Sequence, residues 1–157
     1  MDNYGGEDLI SNELIHLNLE LNDKEEVLAY LASDLTDKGY VKDEFQTAIL
    51  EREQEYPTGI PAKVNIAIPH VDSKYVNQTK IAVATLVNPV KFSAMDNPQN
   101  EIDVHIVFML AISDPHGHLT MLQKLMGLIS NEAALKELLE TNDKETVYEI
   151  LKKNLED

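Results

Sequence analysis

The chain has 157 residues, which is enough to bury one hydrophobic core without disulfides or structural metals. Asp and Glu number 28 against 13 Lys and Arg, and the resulting net charge of −15 repels a phosphate backbone, so nucleic acid is an unfavourable partner. Cysteine is absent, which excludes disulfides, thiolate metal sites and a cysteine nucleophile.

The chain also lacks the sequence marks of membrane insertion and secretion. No apolar run approaches the roughly 20 residues that a membrane span needs. The acidic, glycine-containing start, residues 1–8, has neither the basic nor the apolar stretch of a signal peptide. We therefore expect a cytoplasmic protein that forms a single domain over residues 1–157, with no direct membrane insertion.

The first elements along the chain are a strand and a helix. Apolar residues alternate over residues 15–21, as in a half-buried strand. Asn22 or Asp23 can cap the helix that follows, and Gly39 can end it. The apolar face of this helix comprises Val27, Leu28, Leu31 and Leu35.

A second helix and three more strands follow. Asp43 is predicted to begin the helix, which stops near Pro57 because the residue before a proline avoids the helical region. Apolar runs over residues 64–68, 81–87 and 102–112 predict the strands. The second of these runs is nearly continuous, which is typical of a strand buried on both faces.

After Pro115 the apolar residues return at helical spacing until the end of the chain. No internal repeat, low-complexity tract or linker is present. The mixture of strands and helices predicts an α/β fold in one domain. The residues at helical spacing are Leu119, Leu122, Leu125, Met126, Ile129, Ala134, Leu135, Leu138, Val147, Ile150 and Leu151.

The stretch NIAIPHVD, residues 65–72, places a histidine directly behind a strand that ends in proline. Ile68 stays extended because it precedes a proline. Pro69 has no N–H to give to a neighbouring strand, so the ladder loosens there. His70 is thus predicted at the carboxyl end of a strand, where ligand crevices form in open α/β sheets. Two interpretations remain open: a functional imidazole, or a partly exposed loop histidine at a strand end.

His118 is the second candidate. Asp114 can cap a helix whose first residue is Pro115, which places His118 in the first helical turn. Free backbone N–H groups and the positive end of the helix dipole favour anions there. An ordinary surface histidine at a helix start is an equal alternative.

The other histidines carry weaker signals. His105 and His16 lie within predicted strands, where a hydrogen-bonded or half-exposed role is the simpler interpretation. His116 and His118 could form a weak metal site with Asp114, but a lone H-x-H lacks the helical spacing of zinc motifs, and we expect no functional metal. The glycines form no phosphate-binding loop.

Two segments resemble a known family. REQEYPTGIPAKVNIAIPH, residues 52–70, resembles the active-site segment of enzyme IIA (EIIA) proteins of the phosphoenolpyruvate-dependent sugar phosphotransferase system, in the fructose/mannitol superfamily. VFMLAISDPHGHLTML, residues 107–122, is similar to the second signature of that family. YPTG, IPHVD and IAVATL resemble the galactitol-type branch most closely. Asn65 and Val71 stand where many relatives carry glycine, and Val71 weakens assignment to the mannitol and nitrogen-regulatory branches.

The resemblance implies a mixed β-sheet sandwiched between helices and a phosphotransferase component without a cofactor. It implies that His70 accepts a phosphoryl group, that His118 donates to the phosphoryl oxygens, and that the Arg52 guanidinium contacts the same oxygens. Thr58 would add a hydroxyl or merely shape the turn, and Asp72 would orient the His70 region or lie in solvent. Histidine suits the carrier role because neutral imidazole is nucleophilic near neutral pH.

The implied partners are phospho-HPr, as the phosphoryl donor, and a cysteine of the cognate enzyme IIB, as the acceptor. Both would dock transiently against an apolar rim around His70, and the acidic chain would attract a basic donor. Two alternatives stay open. One is a regulatory EIIA-like domain that signals by its phosphorylation state. The other is a metal-binding or small-molecule-binding α/β domain outside this system that uses His116, His118 and His105.

Overall fold

The computed structural model describes residues 9–156, so the prediction made for residues 1–8 lies outside the described residues. The strands are β1 (Ile15–Leu19), β2 (Gly59–Ile60), β3 (Ile66–Ala67), β4 (Lys80–Ser93) and β5 (Glu101–Ala111). The α-helices are α1 (Lys24–Asp37), α2 (Phe45–Glu55), α3 (Gly117–Ile129), α4 (Glu132–Glu140) and α5 (Lys144–Leu151). Short 3-10 turns cover Asn12–Leu14 and Ser73–Tyr75, and a π-helical turn covers Lys152–Glu156.

The strands form one mixed sheet in the order β1-β4-β5-β3-β2. β4 and β5 make a long antiparallel hairpin, whereas β3 runs parallel to β5, with Ile66 opposite Ile106. Because parallel strands end at the same edge of a sheet, the chain leaving β3 and the chain leaving β5 emerge side by side. This register brings the segment after β3 close to the segment that leads into α3.

Two hydrophobic clusters cover the two faces of the sheet. α1 and α2 pack on one face, where the sheet presents small residues such as Ala67, Ala82 and Ala84. α3, α4 and α5 pack on the other face against larger side chains such as Ile68 and Phe108. Because successive strand residues point to opposite faces, this division follows directly from the alternation along each strand. The predicted α/β fold, a mixed sheet between helices, is confirmed.

The predicted ends of α1 are confirmed. The Asp23 carboxylate accepts a hydrogen bond from the Glu26 N–H at 2.9 Å, which satisfies a backbone donor that the first turn leaves free. Gly39 follows the helix with a φ of 80°, a left-handed conformation that glycine adopts without a Cβ clash.

The predicted starts of α2 and α3 are wrong by about one helical turn or less. α2 begins at Phe45 rather than at Asp43. α3 begins at Gly117, and Asp114 does not cap it. Instead, the Asp114 carboxylate accepts the His116 N–H at 3.0 Å and so closes the turn before the helix. His118 nevertheless lies in the first turn of α3, as predicted.

Three strands differ most from their predicted extents. β4 continues through Pro89 to Ser93, well beyond the predicted end at Val87, with an irregular register between Thr85 and Val90 that accommodates the missing N–H. β3 is shorter than predicted, and β2 was not predicted because two residues carry no periodicity. None of the described helices is long and apolar enough to cross a membrane.

Candidate active site

Three side chains meet at the edge of the sheet where β3 and β5 end. His70 follows β3, His118 lies in the first turn of α3, and Arg52 lies in the last turn of α2. The imidazole centres of His70 and His118 are 5.8 Å apart with their planes at 40°. The Arg52 Nη2 atom lies 3.4 Å from the His70 Nε2 atom. The site therefore takes one residue from the sheet and one from each helical layer.

Backbone geometry fixes the tautomer of His70. Its Nδ1 atom lies 2.8 Å from the carbonyl oxygen of Ile68, which can only accept a hydrogen bond. Nδ1 therefore carries the proton, and Nε2 keeps its lone pair. Arg52 presents only N–H donors, which agrees with an unprotonated Nε2 facing it. The nitrogen that points into the site is the nucleophilic one.

The surroundings keep this imidazole neutral. Burial lowers the pKa of His70 below its usual value, and the nearby Arg52 guanidinium and His118 imidazole lower it further. The hydrogen bond to the Ile68 carbonyl opposes these effects without cancelling them. Neutral imidazole is the reactive form in a nucleophilic role, so the environment favours reactivity at neutral pH.

Two buried polar atoms beside His70 have no hydrogen-bond partner. Among the described residues, buried side-chain atoms of this kind are Arg52 Nε, His118 Nε2 and Ser11 Oγ. An unsatisfied buried polar group is costly, so each one calls for an explanation. Two of the three belong to Arg52 and His118, the residues that lie beside His70. An arginine donor and an imidazole nitrogen at this position are suited to the oxygens of an anionic group bound to His70.

Thr58 occupies a different position from the three residues above. It is 2% exposed, and its hydroxyl donates to Glu53 Oε1 at 2.8 Å while its N–H donates to Glu53 Oε2 at 2.8 Å. The hydroxyl is thus already occupied within the protein. Of the two roles considered for Thr58, this geometry favours shaping the turn.

Glu53 was missed by the sequence reasoning. Burial raises the pKa of its carboxyl to about 7. A signal was present in the sequence, because Glu53 continues the four-residue spacing of Phe45 and Ile49, the buried stripe of α2. A carboxylate on an apolar stripe needs hydrogen-bond partners, and Thr58 supplies them.

Asp72 and the remaining histidines serve other contacts. The exposed Asp72 carboxylate accepts the Lys74 N–H at 2.9 Å and caps the following 3-10 turn. The His16 Nε2 atom lies 2.8 Å from the Asp34 carboxylate, and neither residue contributes to the candidate site. His105 is a half-buried residue of β5. Within residues 9–156, no group of three or more His, Asp or Glu side chains is placed to share a metal ion.

An apolar groove of about 630 Å³ adjoins the site. It shares one face of α3 with His118, because His118, Leu122 and Met126 follow one another at four-residue spacing on that helix. Leu119, on the same helix, is 66% exposed. The groove is lined by Gly59, Ile60, Pro61, Ile68, Met95, Asp96, Leu122 and Met126.

Residues 8–154 match the family described as phosphoenolpyruvate-dependent sugar phosphotransferase system, EIIA 2. The chain belongs to this family. As an EIIA 2 protein it is a phosphotransferase component, which confirms the resemblance seen in the sequence and decides against a domain outside this system.

Relatives of this EIIA protein include sugar-specific components of bacteria and archaea. It is 29% identical over 131 residues to the galactitol-specific EIIA component of Escherichia coli K12, covering 83% of this chain and 87% of that protein. It is 32% identical over 143 residues to the fructose-specific EIIA component of Haloferax volcanii, covering 88% of this chain and 89% of that protein. Its fold matches that of Escherichia coli enzyme IIAMTL, which was solved in complex with phosphorylated enzyme IIBMTL. The TM-score is 0.77 at 23% sequence identity, and the match covers 92% of this chain and 99% of that one.

Proposed function

We propose that this protein is a cytoplasmic phosphohistidine carrier, which accepts a phosphoryl group from phospho-HPr on His70 and passes it to a cysteine of its cognate enzyme IIB. One observation carries the proposal. The His70 Nε2 atom, left unprotonated by the Nδ1 hydrogen bond to Ile68, faces the Arg52 Nη2 atom beside the His118 ring, and Arg52 and His118 each carry a further buried nitrogen without a partner. A nucleophile and donors for an anion thus share one small site.

Each transfer exchanges one bond to phosphorus for another. On uptake, the bond between phosphorus and the imidazole nitrogen of HPr breaks as the bond to His70 Nε2 forms. On delivery, the bond to Nε2 breaks as a bond to the thiolate sulfur of enzyme IIB forms. The proton on Nδ1 stays on the ring throughout, held by the Ile68 carbonyl.

Arg52 and His118 contribute positioning and charge stabilisation, which dominate phosphoryl transfer. The Arg52 guanidinium can contact the equatorial oxygens while remaining charged at all relevant pH values. His118 can donate from a ring N–H, and its position in the first turn of α3 adds the positive end of the helix dipole. Neither residue needs to move a proton.

The apolar groove supplies a surface on which a protein partner can dock next to His70. Met95 and Met126 line this groove and are exposed, as is Leu119 on the same helix, and exposed apolar side chains are typical of the centre of a transient protein interface. The relative solved with phosphorylated enzyme IIBMTL supports enzyme IIB as a partner for this fold. The net charge of −15 favours association with a basic donor.

We infer that the sugar is of the galactitol type. The support is the similarity to the galactitol-specific component over 83% of this chain and 87% of that protein. EIIA proteins contact phosphoryl groups and protein partners rather than sugar, so the assignment depends on which enzyme IIB accepts the phosphoryl group. Transfer to a galactitol-type enzyme IIB, measured against a fructose-type one, tests it.

The proposal is tested by rebuilding the relay from purified enzyme I, HPr and this protein with labelled phosphoenolpyruvate. We expect an acid-labile, alkali-stable phosphate on the wild-type protein and none on His70→Ala. His116→Ala is the matched control, because His116 is exposed and lies just before α3. Uptake by His70→Ala would refute the assignment. Uptake by the wild type without delivery to any enzyme IIB would favour the regulatory alternative.

A further inference from the structure

A line of hydrogen bonds leads from the buried Glu53 carboxyl to the reactive imidazole. We propose that Glu53 is a positioning residue, which fixes the tautomer and orientation of His70 through Thr58 and the backbone of Ile68. This inference depends on the proposed function, because it matters for transfer only where His70 reacts through Nε2. It assigns a task to a buried carboxyl that contacts neither the phosphoryl site nor a partner.

The first step joins Glu53 to Thr58. Both residues are 2% exposed, so neither can exchange its hydrogen bonds for contacts with water. The two carboxyl oxygens receive the N–H and the hydroxyl of Thr58, each at 2.8 Å. Two bonds to one residue fix both the position and the direction of its peptide. Pro57, immediately before it, further restricts the backbone of this turn.

The second step joins Thr58 to Ile68, the residue whose carbonyl selects the His70 tautomer. The Thr58 carbonyl accepts the Ile68 N–H at 3.3 Å, and the Ile68 carbonyl accepts from His70 Nδ1 at 2.8 Å. On the other side, the Pro69 carbonyl accepts the Leu110 N–H at 2.9 Å, which ties the same segment to β5. The Ile68 carbonyl is therefore held from both sides, and Glu53 anchors one of them.

The chemistry of the carboxyl suits an anchor. Thr58 offers two donors at a buried turn, and leaving either unsatisfied would be costly. A carboxylate accepts both of them. A protonated carboxyl, or an amide, keeps the same two contacts, because its carbonyl accepts the Thr58 N–H while its own donor turns to the Thr58 hydroxyl. Glutamine is thus a conservative replacement for Glu53, whereas leucine removes both contacts.

Four variants of the full chain test the inference. Glu53→Leu and Thr58→Val each remove hydrogen bonds from the line, while Glu53→Gln and Thr58→Ser are their matched controls. The readout is the tautomer of His70 in the unphosphorylated protein, from long-range ¹H–¹⁵N correlations of its ring, together with the rate of phosphoryl uptake. A merely structural role would lower thermal stability and leave the tautomer unchanged.

We expect the Nδ1–H tautomer alone in the wild type and in both controls. Glu53→Leu and Thr58→Val should show a mixture of tautomers and take up phosphate about tenfold more slowly, the effect of about one hydrogen bond. Folded variants with an unchanged tautomer and unchanged uptake would overturn the inference. If Glu53→Leu does not fold, Thr58→Val decides, since it removes only the hydroxyl. If the wild type takes up no phosphate, the proposed function fails, and the tautomer measurement still decides the role of Glu53.

Discussion

If His70 carries the phosphoryl group and His118 assists it, as proposed, replacing His118 by alanine should separate the two roles. In the structure the His118 Nε2 atom is buried without a hydrogen-bond partner, and its ring centre lies 5.8 Å from that of His70. The variant removes this donor and leaves the His70 tautomer bond to Ile68 intact. His118→Ala should therefore still be phosphorylated at His70, but with slower transfer onward to enzyme IIB.

The size of the effect follows from the loss of one donor in a buried site. Such a loss typically removes about 2–4 kcal/mol of transition-state stabilisation. Each 1.36 kcal/mol is about a factor of ten, so the rate should fall roughly 30- to 1000-fold. The Arg52 guanidinium remains within 3.4 Å of the His70 ring and continues to supply positive charge. We therefore expect the lower half of this range.

Rapid-quench measurements of phosphoryl transfer from the phosphorylated protein to enzyme IIB give this rate directly. His118→Gln, which retains an N–H donor, should recover part of the loss, whereas His70→Gln should recover none. His116→Ala, two residues away and exposed, is the matched control. Two results would contradict the division of roles: complete loss of phosphoryl uptake in His118→Ala, or wild-type rates for both uptake and delivery.

Three further predictions concern charge and protonation. Because burial lowers the pKa of His70, its ring should titrate in NMR below the usual histidine pKa of about 6.5. Phosphoryl uptake should therefore be full at pH 7 and should fall only as acid protonates Nε2. Arg52→Lys should slow transfer at least about tenfold in the same quench assay despite conserving the charge, since an ammonium cannot reproduce the guanidinium fork. Because the pKa of Glu53 is raised from 4.5 to about 7, the unfolded state releases this proton first, and the free energy of unfolding should fall by about 3 kcal/mol as pH rises across this range. In urea titrations Glu53→Gln should flatten this pH dependence, and an unchanged dependence would refute the raised pKa of Glu53.

The sequence alone located much of the site, since the necessary signals are local. The proline before His70 marks a strand end, and the residues before His118 mark a helix start. What joins them in space is the parallel pairing of β3 with β5, and a pairing between distant strands leaves no local trace. Periodicity along the chain therefore predicts the strands themselves but carries no information on their order in the sheet.

Other features were not predicted because their local sequence is typical of a different environment. Arg52 stands between two glutamates near a helix end, a pattern typical of solvent-exposed residues, and only the family resemblance identified it as a candidate site residue. The apolar run predicted a strand that ends at residue 87, but β4 continues past Pro89 through an irregular register that no single-strand pattern reveals. Glu53 is charged, so its place on a buried stripe was not recognised without its partner Thr58 in view.

The chemical position of the phosphate is the decisive measurement for a carrier role of His70. We expect a single phosphohistidine in the wild-type protein, with phosphorus bonded to Nε2 of His70, visible as a ³¹P–¹⁵N coupling to that nitrogen. The Nδ1 proton of the same ring should remain, hydrogen-bonded to Ile68. Phosphorus on Nδ1 of His70, or on His118, would contradict the proposed mechanism.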